Sequence, residues 1–326
     1  MIDKKEFDDV VRIINNSRER ALRHVNKELI EMYRAIGRFL SKKAREANYG
    51  DAYISSLSKY IKESFPGIKG FNRRGLYRMK QFYEIYEGNE IVSPLVTQLS
   101  WTNHLLLISK CKTNDEREFY MKLAIKERYS KRQLERQIDS GYYERFLLTK
   151  ETNKKGINDN KIFMDSYVLE FLNLPLEFNE KDFRKRIISE MKEFILEIGS
   201  DFIFVDEEYP IPIGTEKYYV DLLFFHRVLQ CLVAVELKTG KFMAEYVSKM
   251  DLYLEGLDRH VKKHNENNSV GLILCTSNSE EIVEYSLSRT LSPMKVAQYQ
   301  LYLPDKQLLK RKLSEMKKEF NKFSDT

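Results

Sequence analysis

At 326 residues the chain exceeds one small domain, and its 42% apolar content supports a packed core. Its longest apolar runs, such as Cys231–Val235, fall far short of the roughly 18 residues a membrane helix needs. The net charge of +6 is uneven: residues 1–150 hold 30 Lys+Arg against 20 Asp+Glu, a net of +10, and the remaining 176 hold 25 against 29, a net of −4. A basic first half fits contact with a polyanion such as nucleic acid, and it equally fits a solvated Lys/Arg-rich helical face. Three scattered cysteines, Cys111, Cys231 and Cys275, argue against a disulfide framework, and no histidine pairs with a cysteine at zinc-ligand spacing. With no basic-then-apolar leader in Met1–Asp9, the expectation is a soluble, cytoplasmic protein.

In chain order, apolar residues from Val10 through Ile14, Leu22, Val25, Leu29, Tyr33, Ile36 and Leu40 keep helical spacing. A second helix is predicted over about Ala52–Ser64, ending before Phe65-Pro66-Gly67. Asn72 then caps a helix carrying Leu76, Met79, Phe82 and Tyr83. That helix also carries Arg73, Arg74, Arg78 and Lys80, a cluster suited to nucleic acid in a helix-turn-helix setting or to a plain solvated face. The cap-then-helix unit recurs at Ser100 and Ser130. Gly141–Asn160 is polar and reads as a linker, which places a basic helical domain at 1–150 and a second domain at 151–326.

The second domain alternates patterns. A helix is predicted over Lys181–Ile198, then strands over Phe202–Val205, Tyr218–Phe225, Gln230–Lys238, Val270–Thr276 and Val296–Leu303. Helices are predicted over about Met243–Asp258, Ser279–Arg289 and Asp305–Phe320. A helix, an antiparallel hairpin and then strands joined by helices imply an α/β sandwich with a mixed sheet, so the chain is α/β overall.

Three charges interrupt the two most apolar strands. Asp221 breaks YYVDLLFFHR, and Glu236 and Lys238 break QCLVAVELK. A strand buried on both faces does not keep unpaired charges without cost. An even-length turn at Arg227–Gln230 sets Asp221 directly across from Glu236, with Cβ atoms about 4.5–5.5 Å apart. Lys238, two residues on, points to the same side. Two carboxylates so placed repel unless a cation joins them, and hard oxygen ligands favour Mg²⁺ or Mn²⁺. Such an ion would bind a phosphate oxygen and activate water, with Lys238 positioning the water or neutralising charge. A salt-bridged strand rim is the plainer account of the trio. Glu190 keeps step with Ile187, Met191 and Phe194, as a third carboxylate or as a boundary residue paired with Arg186.

On these strings, with FIFVDEEYPI, GLILCTS, SFPGIKGFNRRGLYRMKQFY, QLSWTNHLLLI and YSKRQLERQI, the chain resembles the bacterial YhcG-like PD-(D/E)xK nucleases over nearly its whole length. The resemblance implies a restriction-endonuclease-like core bearing Asp221, Glu236 and Lys238, and a helical domain that binds nucleic acid or partner subunits. It implies Mg²⁺-dependent cleavage of nucleic acid, DNA foremost, in genome defence, mobile elements or repair; a homo-oligomer is compatible. Two departures stand out: relatives commonly carry Gly-Arg-Gln where this chain has Asp206-Glu207-Glu208, and a Gln-x-x-x-Tyr that here reads Lys249-x-x-x-Tyr253. Lysine can contact a phosphate but cannot accept a hydrogen bond, which opens the alternative of a non-catalytic DNA-binding or assembly protein on a nuclease fold.

Overall fold

The computed structural model describes residues 4–46, 51–88, 93–154, 163–175 and 177–324. The chain divides into two compact units, Met1–Ile138 and Asp139–Thr326. Among the described residues no helix is long and apolar enough to cross a membrane.

The first unit is helical: α1 (Lys4–Arg45), α2 (Asp51–Ser64), α3 (Arg73–Tyr86), the single turn α4 (Ser93–Val96), α5 (Trp101–Lys110), α6 (Asn114–Lys126) and α7 (Lys131–Asp139). Leu40, Ile54, Leu76 and Met79 form one core with Tyr33, Ile36 and Trp101 packed against it. Helices α1 and α3 approach closely at Gly37, where a Cβ would lie 2.1 Å from the Met79 carbonyl oxygen. The expected apolar stripe of α1 is covered only from Ile30 onward; Val10, Ile13, Ile14, Leu22 and Val25 are exposed. The caps form as predicted: Asn72 accepts from the Gly75 amide (2.8 Å), and Ser100 from the Asn103 amide (3.4 Å).

The second unit opens with α8 (Tyr142–Lys154) where the polar composition predicts a linker. Burial of one ion pair accounts for it: Arg145 meets Glu197 at 2.9 Å with both side chains almost wholly enclosed. Arg145 also donates to the Ser166 carbonyl, and Glu197 accepts the Val168 amide. Residues 155–160 of the expected linker lie outside the described residues. Next come β1 (Ser166–Val168), α9 (Glu180–Ser189), α10 (Met191–Ile198), β2 (Phe202–Ile213), β3 (Glu216–His226) and β4 (Cys231–Leu237). The chain ends with α11 (Glu245–His260), β5 (Asn267–Cys275), α12 (Glu280–Leu287), β6 (Met294–Gln300) and α13 (Lys306–Ser324).

The six strands form one mixed sheet in the order β1-β6-β5-β4-β3-β2, antiparallel at β2–β3 and β3–β4 and parallel elsewhere. Strand β2 runs well past the predicted Val205, through Pro210 and Pro212, which an edge strand tolerates because its outer amides need no partner. On one face Phe183, Ile187, Phe194 and Ile198 pack over Leu222, Phe224, Val233 and Val235. On the other, Met250, Tyr253, Leu254 and Leu257 pack over Leu223, Ala234 and Ile273. This is the α/β sandwich with a mixed sheet that the sequence leads one to expect. The helix predicted over 181–198 is two: Glu190, at φ −111° and ψ 28°, leaves the helical range and joins α9 to α10.

Candidate active site

The hairpin register matches the sequence expectation. Leu222 lies opposite Val235 and His226 opposite Cys231, across a four-residue turn that Gln230 closes in the left-handed region at φ 50°. One step further, Asp221 falls opposite Glu236. The ladder is replaced there by a side chain: the Leu237 amide donates to Asp221 Oδ2 at 2.9 Å. Asp221 is thereby fixed to the end of β4 by the backbone itself, and the Lys238 amide is held in turn by the Leu274 carbonyl.

Glu236 is 2% exposed, and its Oε1 takes Lys249 Nζ at 2.5 Å and Lys238 Nζ at 3.0 Å. Its Oε2 is buried and has no hydrogen-bond partner among the described residues. Burial pushes the Glu236 carboxyl above the usual range, the nearby Asp221 charge pushes the same way, and the two lysines pull it back. Burial acts to lower Lys238, but the Glu236 and Glu180 carboxylates overcome it and hold the ammonium above its ordinary value. Lys249 is likewise held charged against burial, chiefly by Glu236. Each ammonium also lies over a ring of α11, Lys238 at 5.2 Å from Tyr246 and Lys249 at 5.3 Å from Tyr253. Burial, then the Glu236 charge, raises the Tyr253 hydroxyl and keeps it protonated.

Two further groups come from α9, and sequence reasoning missed both. Glu180 meets Lys238 Nζ at 3.1 Å, and Arg184, one turn later, meets Asp221 Oδ1 at 3.0 Å. Arg184 also pairs with Glu208 at 2.7 Å and lies 3.8 Å from Glu207. Glu208 adopts φ 46°, a left-handed conformation that costs a side-chain-bearing residue about 1–2 kcal/mol. The signal for Glu180 and Arg184 was present as charges beside the core positions Phe183 and Ile187, but nothing local names their partners. Glu190 is not brought to the trio: it is the half-buried junction of α9 and α10, and it forms no ion pair, with Arg186 or any other cation, among the described residues.

Counted together, Asp221, Glu236, Glu180, Glu207 and Glu208 face three cations, Lys238, Lys249 and Arg184, leaving a deficit of two positive charges. That deficit and the orphaned Glu236 oxygen fit a divalent cation of hard character. Among the described residues no cluster of three or more His, Cys, Asp or Glu stands ready as a complete ligand cage. The donors on hand are Asp221 and Glu236, and water or a phosphate would have to complete the shell.

In the first unit, the four cations expected on one helix all lie on α3. Arg73 pairs with Asp51 at 2.6 Å and lies over Tyr77, and Lys80 pairs with Glu84 at 3.5 Å. Arg74 and Arg78 remain without an acidic partner among the described residues. The same helix buries Leu76, Met79, Phe82 and Tyr86.

Comparison with known proteins gives matches to both halves. The family model of the YhcG PDDEXK nuclease domain matches residues 160–314, and that of the DUF1016 N-terminal domain matches residues 9–145. The protein YhcG of Escherichia coli (strain K12) is 30% identical over 93% of this chain and 91% of its own length. Among solved structures, a repair endonuclease from Pyrococcus abyssi is 21% identical over 40% of this chain and 50% of that one, with a TM-score of 0.27. An EndoMS–double-stranded DNA complex is 19% identical over 36% of this chain and 45% of that one, with a TM-score of 0.25. This chain thus spans about half the length of those two structures.

Proposed function

Because the chain belongs to the YhcG family and carries its PDDEXK nuclease domain, we propose that it hydrolyses phosphodiester bonds of nucleic acid, DNA foremost, at Asp221, Glu236 and Lys238 with Mg²⁺ or Mn²⁺. The observation that carries the reading is the buried, unpartnered Oε2 of Glu236 beside a carboxylate surplus of two. Asp221 and Glu236 would hold the ion, which when bound supplies Lewis acidity to a phosphate oxygen and lowers the pKa of water. Lys238, braced by Glu180 and seated over Tyr246, orients the attacking water and faces the charge that builds on the phosphoryl group. One P–O bond forms to the water oxygen, one P–O ester bond breaks, and the leaving oxygen departs as an alcohol after taking a proton.

Lys249 and Arg184 each neutralise one carboxylate while no ion is bound, and each is placed to turn towards a phosphate once an ion takes over that carboxylate. The same pairing favours the second reading, a DNA-binding or assembly protein in which the carboxylates are permanently neutralised. Calorimetric titration with Mg²⁺ and Mn²⁺, wild type against Asp221→Ala, separates the two. Heat and cleavage lost together in the variant support the nuclease; no heat in either protein supports the assembly role.

A further inference from the structure

The first unit contains a cleft of about 990 Å³ walled by the middle of α1, the start of α5 and the α6–α7 junction. Six cations line it, Arg20, Arg23, Lys27, Lys126, Arg128 and Lys131, against the single carboxylate of Glu19, which Arg23 already engages at 2.8 Å. Lys27 and Lys126 pair with Glu31 (3.9 Å) and Glu127 (3.3 Å). Lys110 first, and Lys131 after it, hold the Glu135 carboxyl below its usual range. Arg20, Arg128 and Lys131 form no salt bridge among the described residues. The N-terminal ends of α5 and α7 also line the cleft, each capped by its own serine, Ser100 or Ser130, and the two helix dipoles add positive potential.

The backbone shows that one cation is held there at a cost. Arg128 sits at φ 54°, just past the end of α6, where the Tyr129 amide closes the helix onto the Ala124 carbonyl. That position favours glycine, so the arginine is retained against local strain. On α1, Arg20, Arg23 and Lys27 span about 10 Å at 1.5 Å per residue, the length of about three phosphates at 3.4 Å per nucleotide.

We infer that this cleft, rather than the cationic face of α3, binds the phosphate backbone of nucleic acid. The inference rests on the reading of the chain as a nucleic-acid enzyme and adds where the first unit holds the strand. Phosphates would sit over the α5 and α7 N-termini, with Arg20, Arg128 and Lys131 supplying charge-assisted hydrogen bonds.

The test is fluorescence anisotropy of the full chain on a labelled DNA duplex in EDTA, so that cleavage does not enter. Arg20→Glu/Arg128→Glu/Lys131→Glu should weaken binding at least tenfold at about 100 mM salt and reduce the log–log salt slope by roughly 2–3. Arg128→Gly relieves the strained φ, so it should raise Tm while weakening DNA binding several-fold; a structural arginine would give neither combination. Unchanged binding in both variants, or a larger loss in Arg74→Glu/Arg78→Glu than in the cleft variant, overturns the inference. So does displacement of DNA by inorganic phosphate at about 1 mM, which would mark a pocket for the free anion. If the cleft variants lose DNA while no preparation cleaves it with Mg²⁺, the inference stands and the nuclease reading falls.

Discussion

Lys249→Gln is the most informative single change, because it restores the Gln-x-x-x-Tyr expected from the resemblance and because the structure gives Lys249 a buried partner. Its ammonium lies 2.5 Å from Glu236 Oε1, with the lysine side chain 44% exposed and the glutamate 2% exposed. In the metal-free protein, the change leaves Glu236 with Lys238 alone against burial and the Asp221 charge. Breaking a fully buried pair costs about 3–5 kcal/mol; with one partner near solvent and a Gln amide still able to donate, the loss should be about 1–2 kcal/mol. The effect on metal has the opposite sign. A unit charge about 4 Å from a dication repels it by about 8 kcal/mol at an effective dielectric of 20, and solvent around a half-exposed ammonium removes most of that. About 1.4 kcal/mol then remains, a tenfold tighter Mg²⁺ constant. Calorimetry reads the constant directly, and thermal unfolding with and without Mg²⁺ reads the linkage, since the variant should regain with metal what it loses without it. Binding to an uncleavable phosphorothioate duplex should weaken through loss of a phosphate contact. If Mg²⁺ affinity, duplex affinity and metal-dependent Tm all match wild type, the lysine has no part in the site and the argument fails.

Alanine at Asp221, Glu236 or Lys238 should each lower Mg²⁺-dependent cleavage by a factor of order 10² or more, measured on a labelled duplex. Asp221→Ala should also destabilise the metal-free fold, seen as a lower urea midpoint, because Arg184 and the Leu237 amide lose their acceptor. Gly37→Ala drives a methyl group to within 2.1 Å of the Met79 carbonyl oxygen, so Tm should fall by the equivalent of about 1–3 kcal/mol; an unchanged Tm means that α1 and α3 do not approach as described. Lys238 and Lys249 have folded-state pKa values above 10.5, so the stability they supply is complete below that pH and is lost as pH rises through the folded values. Denaturation at about pH 9 and about pH 11.5 should show a steeper alkaline loss for wild type than for Lys249→Gln. Glu236 carries the same sign from a lower start: its contribution is present below 4.5 and fades as pH rises.

The hairpin that carries the trio was legible because its two runs are apolar on both faces, so Asp221, Glu236 and Lys238 stand out, and the register follows from turn length alone. Strand β1 was not: Ser166–Val168 is three residues long and exists because β6 offers a parallel edge, a fact distant in sequence. Helix α8 was hidden for a related reason, since its polar sequence reads as linker and its anchor is an arginine paired 52 residues away. Glu180 and Arg184 find Lys238 and Asp221 across 58 and 37 residues, beyond any local pattern. In α1, periodicity announced an apolar face, but no period tells whether that face is covered; Ile30 is enclosed and Val25 is not.

The fit between site and scaffold explains why the charges sit where they do. The sheet supplies rigidity only while its ladder continues, and Asp221 and Glu236 occupy the point where the β3–β4 ladder stops. Asp221 takes over from the missing bond by capping the Leu237 amide, which fixes one carboxylate without spending both of its oxygens. Helices from the two faces then close in, α9 with Glu180 and Arg184 and α11 with Tyr246, Lys249 and Tyr253. Because Arg184 and Lys249 come from helices and Asp221 and Glu236 from strands, an incoming dication would displace those two cations without disturbing the two carboxylates. Glu208, bound to Arg184 from a strained backbone, gives that arginine a second partner, one that would remain if a cation took Asp221. Glu207, Glu208 and Lys249 are therefore parts of one charge balance, the two glutamates facing Arg184 and the lysine facing Glu236.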